Sequence, residues 1–205
     1  MFWTLMGAPF TSDTERIDRM PSLNRVIMNR RSRRLMEEIG AEDMDVAEIS
    51  GQWGMNLKTK SYVQYKFPAH DICKGPVRYA DGEVLKYDLI LANQVWEHLD
   101  RPYAATKHVM EMLRPGGYFW LAVPFHVPYH AAPHDCTRWS ARGLRNFLIE
   151  VGFPEDDIRT AAWGNRHAAA RNLEESWPPE YDADTDPLEN DKAFPIVTWG
   201  LARKA

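Results

Sequence analysis

The sequence has little of what several large classes of protein require. Only two cysteines, Cys73 and Cys136, occur among its 205 residues. A disulfide framework and a four-cysteine zinc site are therefore not expected, and a reducing, cytoplasmic setting is the default. No apolar run approaches the ~20 residues that cross a membrane. The N-terminal stretch is apolar but lacks the basic residues that open a secretory signal.

An excess of positive charge is also missing. Lysine and arginine number 25 against 29 aspartates and glutamates, which gives a net charge of −4. This balance argues against a protein held to nucleic acid or to a membrane mainly by bulk positive charge, and we predict neither partner. Hydrophobic residues make up 44% of the chain, which is enough for a folded core.

Apolar runs typical of strands alternate with helical patterns along the chain. The predicted strands span residues 45–50, 61–67, 87–92, 118–123, 159–162 and 196–199, and the predicted helices span 21–40, 102–113 and 140–152. Alternation of this kind indicates an α/β protein with a largely parallel sheet. Such sheets bind ligands beyond the carboxyl ends of their strands, so the loops after the first four strands are the places to search.

Two adjoining segments carry a resemblance to a known family. Residues 87–99, YDLILANQVWEHL, and residues 112–124, MLRPGGYFWLAVP, resemble the central part of class I S-adenosylmethionine-dependent methyltransferases of the small-molecule type. The resemblance runs from about residue 46 to residue 202. It implies an α/β, Rossmann-like mixed sheet of about seven strands, mostly parallel with the last one antiparallel, and helices on both faces. We divide the chain into an N-terminal helical segment, 1–40, packed on a methyltransferase-like domain, 41–205.

The resemblance implies a site for S-adenosylmethionine in the loop after the first strand. Glu48 stands where the family has its acid and Gly54 where it has its last glycine, whereas Ser50 and Gln52 replace two glycines. The later acidic position, near the adenine, matches Asp71. The implied cofactor-binding residues are therefore Glu48, Ser50, Gly51, Gly54, Asp71, Asn93 and Gln94. We expect a bulky residue at either loop glycine to weaken cofactor binding and leave the fold largely intact.

The same glycine loop carries no G-x-G-x-x-G pattern, so a dinucleotide-binding enzyme is disfavoured. The interval between residues 54 and 88 is short for the family. A helix between the first two strands is therefore expected to be missing.

Histidines concentrate in the loop PFHVPYHAAPHD, residues 124–135, at the predicted ligand edge of the sheet. An imidazole titrates near neutral pH and suits a general base. We predict His130 as the base, with His126 and Asp135 as the other catalytic candidates; Asp135 pairs with Arg138 in the simpler interpretation. No metal site is predicted, because the two-histidine helical motif is absent. The pair Glu97-His98 is expected to pack near the site without transferring a proton.

The resemblance implies an S-adenosylmethionine-dependent methyltransferase that moves a methyl group to oxygen or nitrogen of a small-molecule acceptor. The altered glycine loop leaves one alternative open, a binding or scaffold protein with a methyltransferase fold that has lost its cofactor. The aromatic residues around the predicted site favour a small organic acceptor. The identity of that acceptor and the oligomeric state do not follow from the sequence.

Overall fold

Six strands form one mixed sheet in a computed structural model, which describes residues 21–131 and 133–205. The strands are β1 (Asp45–Ile49), β2 (Ser61–Tyr65), β3 (Tyr87–Asn93), β4 (Leu113–Pro124), β5 (Ile158–Trp163) and β6 (Val197–Arg203). Their order is β2-β1-β3-β4-β6-β5. β1 to β4 pair in parallel, and the last strand, β6, runs antiparallel to β4 and β5. The described sheet has six strands, whereas about seven were expected. The prediction that the last strand is antiparallel is confirmed.

Helices cover both faces of this sheet, as predicted. They are α1 (Leu23–Glu38), α2 (Pro102–Met112), α3 (Ala141–Val151) and α4 (Arg166–Arg171), of which the short α4 was not predicted. Buried residues of α2 and α3 join one core cluster, and those of α1 and α4 join a second cluster on the opposite face. Within the described part of the chain, no helix has the length and apolar character needed to span a bilayer.

β3 is buried on both faces because its side chains alternate between the two clusters. Leu89 and Leu91 pack on the face of α1, whereas Ile90 and Ala92 pack on the face of α2. All four residues are fully buried. Successive side chains of a strand point to opposite faces, so a central parallel strand needs an unbroken apolar run, and this is the pattern in the sequence.

The connection between β1 and β2 contains no α-helix, in agreement with the expectation from the sequence. It holds only a short 3-10 helix, Trp53–Asn56. Parallel strands are usually joined by a helical crossover. Here Trp53 instead stacks on Trp120 of β4, with ring centroids 6.5 Å apart, and helps to cover the sheet on the face of α1.

The start of α1 is fastened to the loop that follows α4. The amide of Leu23 donates to the carbonyl of Pro179 at 2.9 Å, and the amide of Tyr181 donates to the carbonyl of Pro21 at 2.9 Å. The side-chain amide of Asn24 donates to Asn172 at 2.7 Å in a buried pair. These bonds hold two segments that are far apart in sequence against each other at the carboxyl edge of the sheet.

The α3 core contact can be tested with one substitution. Leu148 is fully buried between α3 and the sheet. Leu148→Ala is expected to lower the free energy of unfolding by about 2–5 kcal/mol, because it removes packed methyl groups and leaves a cavity. Chemical denaturation measures the loss. Asn146→Ala, at an exposed position of the same helix, is the control and should change stability by less than about 0.5 kcal/mol; equal losses in the two variants would contradict the packing.

Candidate functional site

Two residues at the carboxyl ends of neighbouring strands have left-handed backbone conformations. Ser50, after β1, has a φ of 55°, and Gln94, after β3, has a φ of 58°. Each conformation is fixed by a hydrogen bond of 2.8 Å, from the Ser50 amide to the Tyr65 carbonyl and from the Gln94 amide to the Ala122 carbonyl. Non-glycine residues rarely adopt this conformation, and strained residues concentrate at functional sites. The strain therefore marks this edge of the sheet.

A cavity of about 720 Å³ opens beside both of these residues. Its volume falls within the range of pockets that hold cofactors and other small ligands. The polar residues that line it are Ser50, Lys66, His70, Asp71, Lys74, Gln94, His98, Asp100, Arg101 and His134. A parallel sheet of this kind binds its ligand at this edge. We call it the donor cavity, after the methyl donor that the sequence resemblance implies there.

Three of the seven predicted cofactor residues line the donor cavity, namely Ser50, Asp71 and Gln94. Asp71 already accepts a hydrogen bond from the amide of Cys73 at 3.0 Å. Asn93 is not among the lining residues, and its buried side-chain oxygen has no hydrogen-bond partner among the described residues. The remaining three predicted residues, Glu48, Gly51 and Gly54, do not line the cavity either.

Glu48 is fully buried and organises its own loop. Its Oε1 accepts from the amide of Trp53 at 2.8 Å, and its Oε2 accepts from the amide of Gly54 at 2.7 Å and from the hydroxyl of Tyr62 at 2.6 Å. Burial and the bond to this carboxylate raise the pKa of the Tyr62 phenol above its ordinary value. The buried carboxylate thus fixes the conformation of the loop that follows β1.

The two loop glycines make room for that carboxylate. A Cβ at Gly51 would lie 2.0 Å from Oε1 of Glu48, and a Cβ at Gly54 would lie 2.6 Å from Leu91 and 2.7 Å from Tyr62. Larger residues at either position must displace buried groups. We therefore expect such substitutions to lower stability as well as cofactor binding, since the glycines accommodate Glu48 and its neighbours.

A second, smaller cavity of about 230 Å³ adjoins the donor cavity, and the two share Gln94 and His98. We call it the acceptor cavity, after the methyl acceptor that the resemblance implies beside the donor. Its remaining lining residues come from the start of α1, the end of β4, the start of β6, and the loops after β3, β4 and α4: Ser22, Asn24, Arg25, Glu97, Pro124, Val127, His130, Trp177, Pro178, Ile196 and Val197.

Glu97 is the least satisfied charged group of the acceptor cavity. Its side chain is fully buried, and neither carboxylate oxygen has a hydrogen-bond partner among the described residues. Oε1 lies 3.6 Å from Nε2 of His98 and 4.0 Å from Nε2 of His130. Burial raises the pKa of Glu97 to about 8, although the charges of Arg138 and Arg25 oppose the shift. A buried carboxylate of this kind needs a proton or a cation.

Both neighbouring histidines turn Nε2 toward Glu97. Nδ1 of His98 lies 2.6 Å from the carbonyl of His134, and Nδ1 of His130 lies 3.1 Å from the carbonyl of Pro128. A carbonyl only accepts, so Nδ1 carries the hydrogen in each case and Nε2 of the neutral ring keeps its lone pair. Burial lowers the pKa of His98, which favours its neutral ring. The rings meet edge to face, with centroids 5.1 Å apart.

Asp135 holds the backbone of His130 in place through a hydrogen bond. Its carboxylate accepts from the amide of His130 at 2.8 Å and forms a two-nitrogen ion pair with the guanidinium of Arg138. Arg138 lowers the pKa of Asp135 to about 2. His126, by contrast, is exposed and lines neither cavity. Of the three predicted catalytic residues, the structure therefore brings His130 and Asp135 together and leaves His126 apart.

Sequence reasoning gave no role to several residues of the acceptor cavity. The Glu97-His98 pair was visible as a motif, but its convergence with His130 depends on a loop that folds back over the sheet edge. Trp177 packs on the ring of His130 with centroids 4.9 Å apart. Its loop is acidic and rich in proline, and nothing in that composition signals a site.

The family of the chain follows from comparison with known proteins. A family model described as a methyltransferase domain matches residues 12–165. The chain belongs to this family, which confirms the resemblance inferred from the sequence and S-adenosylmethionine as the cofactor. No curated protein matches the chain.

Solved structures support the same fold. A SAM-dependent methyltransferase from Thermotoga maritima is 13% identical, with 89% of this chain and 98% of that one covered and a TM-score of 0.54. Another, from Archaeoglobus fulgidus, is 12% identical, with 88% and 94% covered and a TM-score of 0.55. At these identities the likeness shows the fold alone, and it confirms the Rossmann-like architecture.

The role of the loop glycines yields a stability test. Gly51→Ala and Gly54→Ala are each expected to lower the free energy of unfolding by about 1–3 kcal/mol, because the added methyl group overpacks the surroundings of Glu48. Gly75→Ala is the control, since a Cβ there meets nothing within 4 Å. Urea denaturation measures all three variants. Stabilities of the first two that match the control would show that the loop does not depend on these contacts.

Proposed function

We propose that this protein is an S-adenosylmethionine-dependent methyltransferase that acts on a small-molecule acceptor at oxygen or nitrogen. The observation that carries the proposal is the pair of adjoining cavities that share Gln94 and His98. Methyl transfer needs donor, methyl carbon and nucleophile in line. Holding two reactants in this geometry supplies roughly 7–11 kcal/mol of the barrier reduction.

The donor cavity is the proposed place of S-adenosylmethionine. Ser50 and Gln94 lie at the strained edge and would contact the amino-acid end, while Asp71 lies toward the proposed adenine side. Glu48 and the two loop glycines would contribute indirectly by fixing the backbone beside Ser50. Asn93 stays in the proposal because its buried side-chain oxygen lacks a partner among the described residues.

The acceptor cavity is the proposed place of the methyl acceptor. Its volume of about 230 Å³ suits a small molecule, and Trp177 offers it an aromatic wall. We propose that His130 activates the acceptor through Nε2 and that Asp135 positions His130. A nitrogen with a free lone pair does this in one of two ways: it accepts the acceptor's proton, or it holds a cation that lowers the pKa of the acceptor's oxygen. His126 is the second candidate and would have to act from the exposed part of the loop.

One observation favours the alternative, a binding or scaffold protein that has lost its cofactor. The loop after β1 is filled by its own side chains, with Trp53 stacked on Trp120 and Glu48 bonded beneath the loop glycines. Measurement of cofactor binding separates the two functions. We also propose a cytoplasmic location, in keeping with the free thiols of Cys73 and Cys136, and no nucleic-acid or membrane partner.

Cofactor binding can be measured by calorimetry with S-adenosylhomocysteine. The native chain is expected to bind, and Asp71→Asn is expected to bind at least about tenfold more weakly, because a hydrogen bond to a charged group contributes about 1.5–3 kcal/mol. Asp81→Asn, at an exposed loop acid outside the cavity, should bind like the native chain. If the native chain releases no heat and shows no thermal shift with the ligand, the scaffold function replaces the enzyme.

Acceptor activation can be tested at His130. His130→Ala is expected to bind S-adenosylhomocysteine normally but to slow methyl transfer by about 10²–10⁴-fold, the usual contribution of a group that assists proton removal. The assay follows S-adenosylhomocysteine release with a panel of small hydroxyl and amine acceptors. Tyr129→Phe changes the exposed neighbour in the same loop and is the control. A loss below tenfold at His130 would remove it from the mechanism.

A further inference from the structure

We propose that Glu97, His98 and His130 form a binding site for one divalent transition-metal ion, with zinc as the test ion. One ligand atom from each of the three residues lies within 4.8 Å of the other two. Two imidazoles and one carboxylate are a donor set that catalytic zinc sites use. The inference deepens the proposed function, because the ion would lie in the acceptor cavity, but metal binding itself does not require methyl transfer.

The spacing of the ligand atoms fits an ion of this size. Oε1 of Glu97 is 3.6 Å from Nε2 of His98 and 4.0 Å from Nε2 of His130. Two ligands bound at about 2.1 Å to a tetrahedral zinc ion lie roughly 3.4 Å apart. The two separations from Glu97 are close to this value, and the ligand atoms of the two histidines lie within 4.8 Å of each other, so rotation of these side chains would bring all three to one ion. They are also too far apart to satisfy one another by hydrogen bonds, since such bonds rarely exceed about 3.2 Å.

The hydrogen bonds behind the histidines are those of metal ligands. Histidines that bind a metal usually donate the other ring N–H to a carbonyl or carboxylate, which fixes the tautomer and the ring orientation. His98 does so toward the carbonyl of His134 at 2.6 Å. His130 does so toward the carbonyl of Pro128 at 3.1 Å, with a carboxylate oxygen of Asp135 at 3.5 Å. Nε2 of each ring is thus left available for an ion close to Oε1 of Glu97.

The unpartnered carboxyl group of Glu97 also favours a bound cation. Glu97 is fully buried, with both oxygens unpartnered among the described residues. The nearby guanidinium of Arg138 is already engaged by Asp135 through two nitrogens. Arg25 lines the same cavity and repels a cation to some extent, but no bond joins it to Glu97 in the described structure. A buried carboxyl group without a hydrogen-bond partner is costly, and a cation bound in place of its proton would remove that cost.

Three protein ligands leave a coordination position open toward the acceptor cavity. Catalytic zinc sites keep such a position for water or substrate, and the ion lowers the pKa of the oxygen that it binds. This arrangement would select an acceptor with a hydroxyl or related oxygen and hold it beside Gln94, where the donor cavity begins. His130 would then hold the ion, and the ion would activate the acceptor.

The test is metal binding to the full chain after removal of metals with a chelator. Calorimetry with zinc chloride is expected to give one tight site per chain, and cobalt(II) is expected to give the visible absorption of a site with nitrogen and oxygen ligands. His98→Ala and His130→Ala should each weaken zinc binding by at least about 100-fold. Loss of a residue that only orients a metal ligand already costs up to about 100-fold, and loss of the ligand itself should cost at least as much. Glu97→Gln, which keeps the shape of the side chain, should also weaken it.

His134→Ala is the matched control, because His134 contributes its carbonyl to His98 and its own ring is exposed. This variant should bind zinc like the native chain, and thermal melting should show that every variant is folded. Absence of a tight zinc site, or equal affinity in His134→Ala and His98→Ala, would overturn the metal site. Calorimetry with S-adenosylhomocysteine on the same samples keeps the two proposals apart. If the native chain binds zinc but not S-adenosylhomocysteine, the proposed methyltransferase is overturned. If it binds S-adenosylhomocysteine but not zinc, only the metal site is overturned.

Discussion

The buried carboxylate of Glu48 is the interaction on which the donor side of the site depends. Glu48 is the penultimate residue of β1, and its carboxylate accepts hydrogen bonds from two amides of the following loop and from the hydroxyl of Tyr62 on β2. Since no α-helix joins these strands, these bonds do what the packing of a crossover helix does in most parallel sheets. They also fix the chain around Ser50, whose left-handed conformation lies at the edge of the donor cavity.

Glu97 makes an instructive contrast with Glu48. Both glutamates are fully buried, yet one has donors for both oxygens and the other has none among the described residues. A satisfied buried charge contributes to the fold, whereas an unsatisfied one costs stability and persists where function requires it. Burial does not distinguish the structural glutamate from the functional candidate, whereas the presence or absence of hydrogen-bond partners does.

The sequence predicts the framework better than the site. Periodicity located β3 and α3, and Ser140 caps α3 by accepting from the amide of Gly143 at 3.1 Å, as its position before an amphipathic run suggests. The resemblance located the edge of the sheet that binds ligand, because the family's motifs follow the strands in a fixed order along the chain. The contact of Gly51 with Glu48 and the meeting of His98 with His130 depend on how loops fold back, which spacing along the chain does not encode.

The acceptor cavity owes much of its wall to two segments outside the sheet, the start of α1 and the loop containing Trp177 and Pro178. These segments are bonded to each other through Leu23 and Pro179 and through Pro21 and Tyr181. They therefore form a paired unit, whose two halves must fit each other as well as the ligand. Under the proposed function, joint substitution of residues in these two segments would change the preferred acceptor, whereas the loops after β1 and β3 on the other side of Gln94 would keep the same methyl donor.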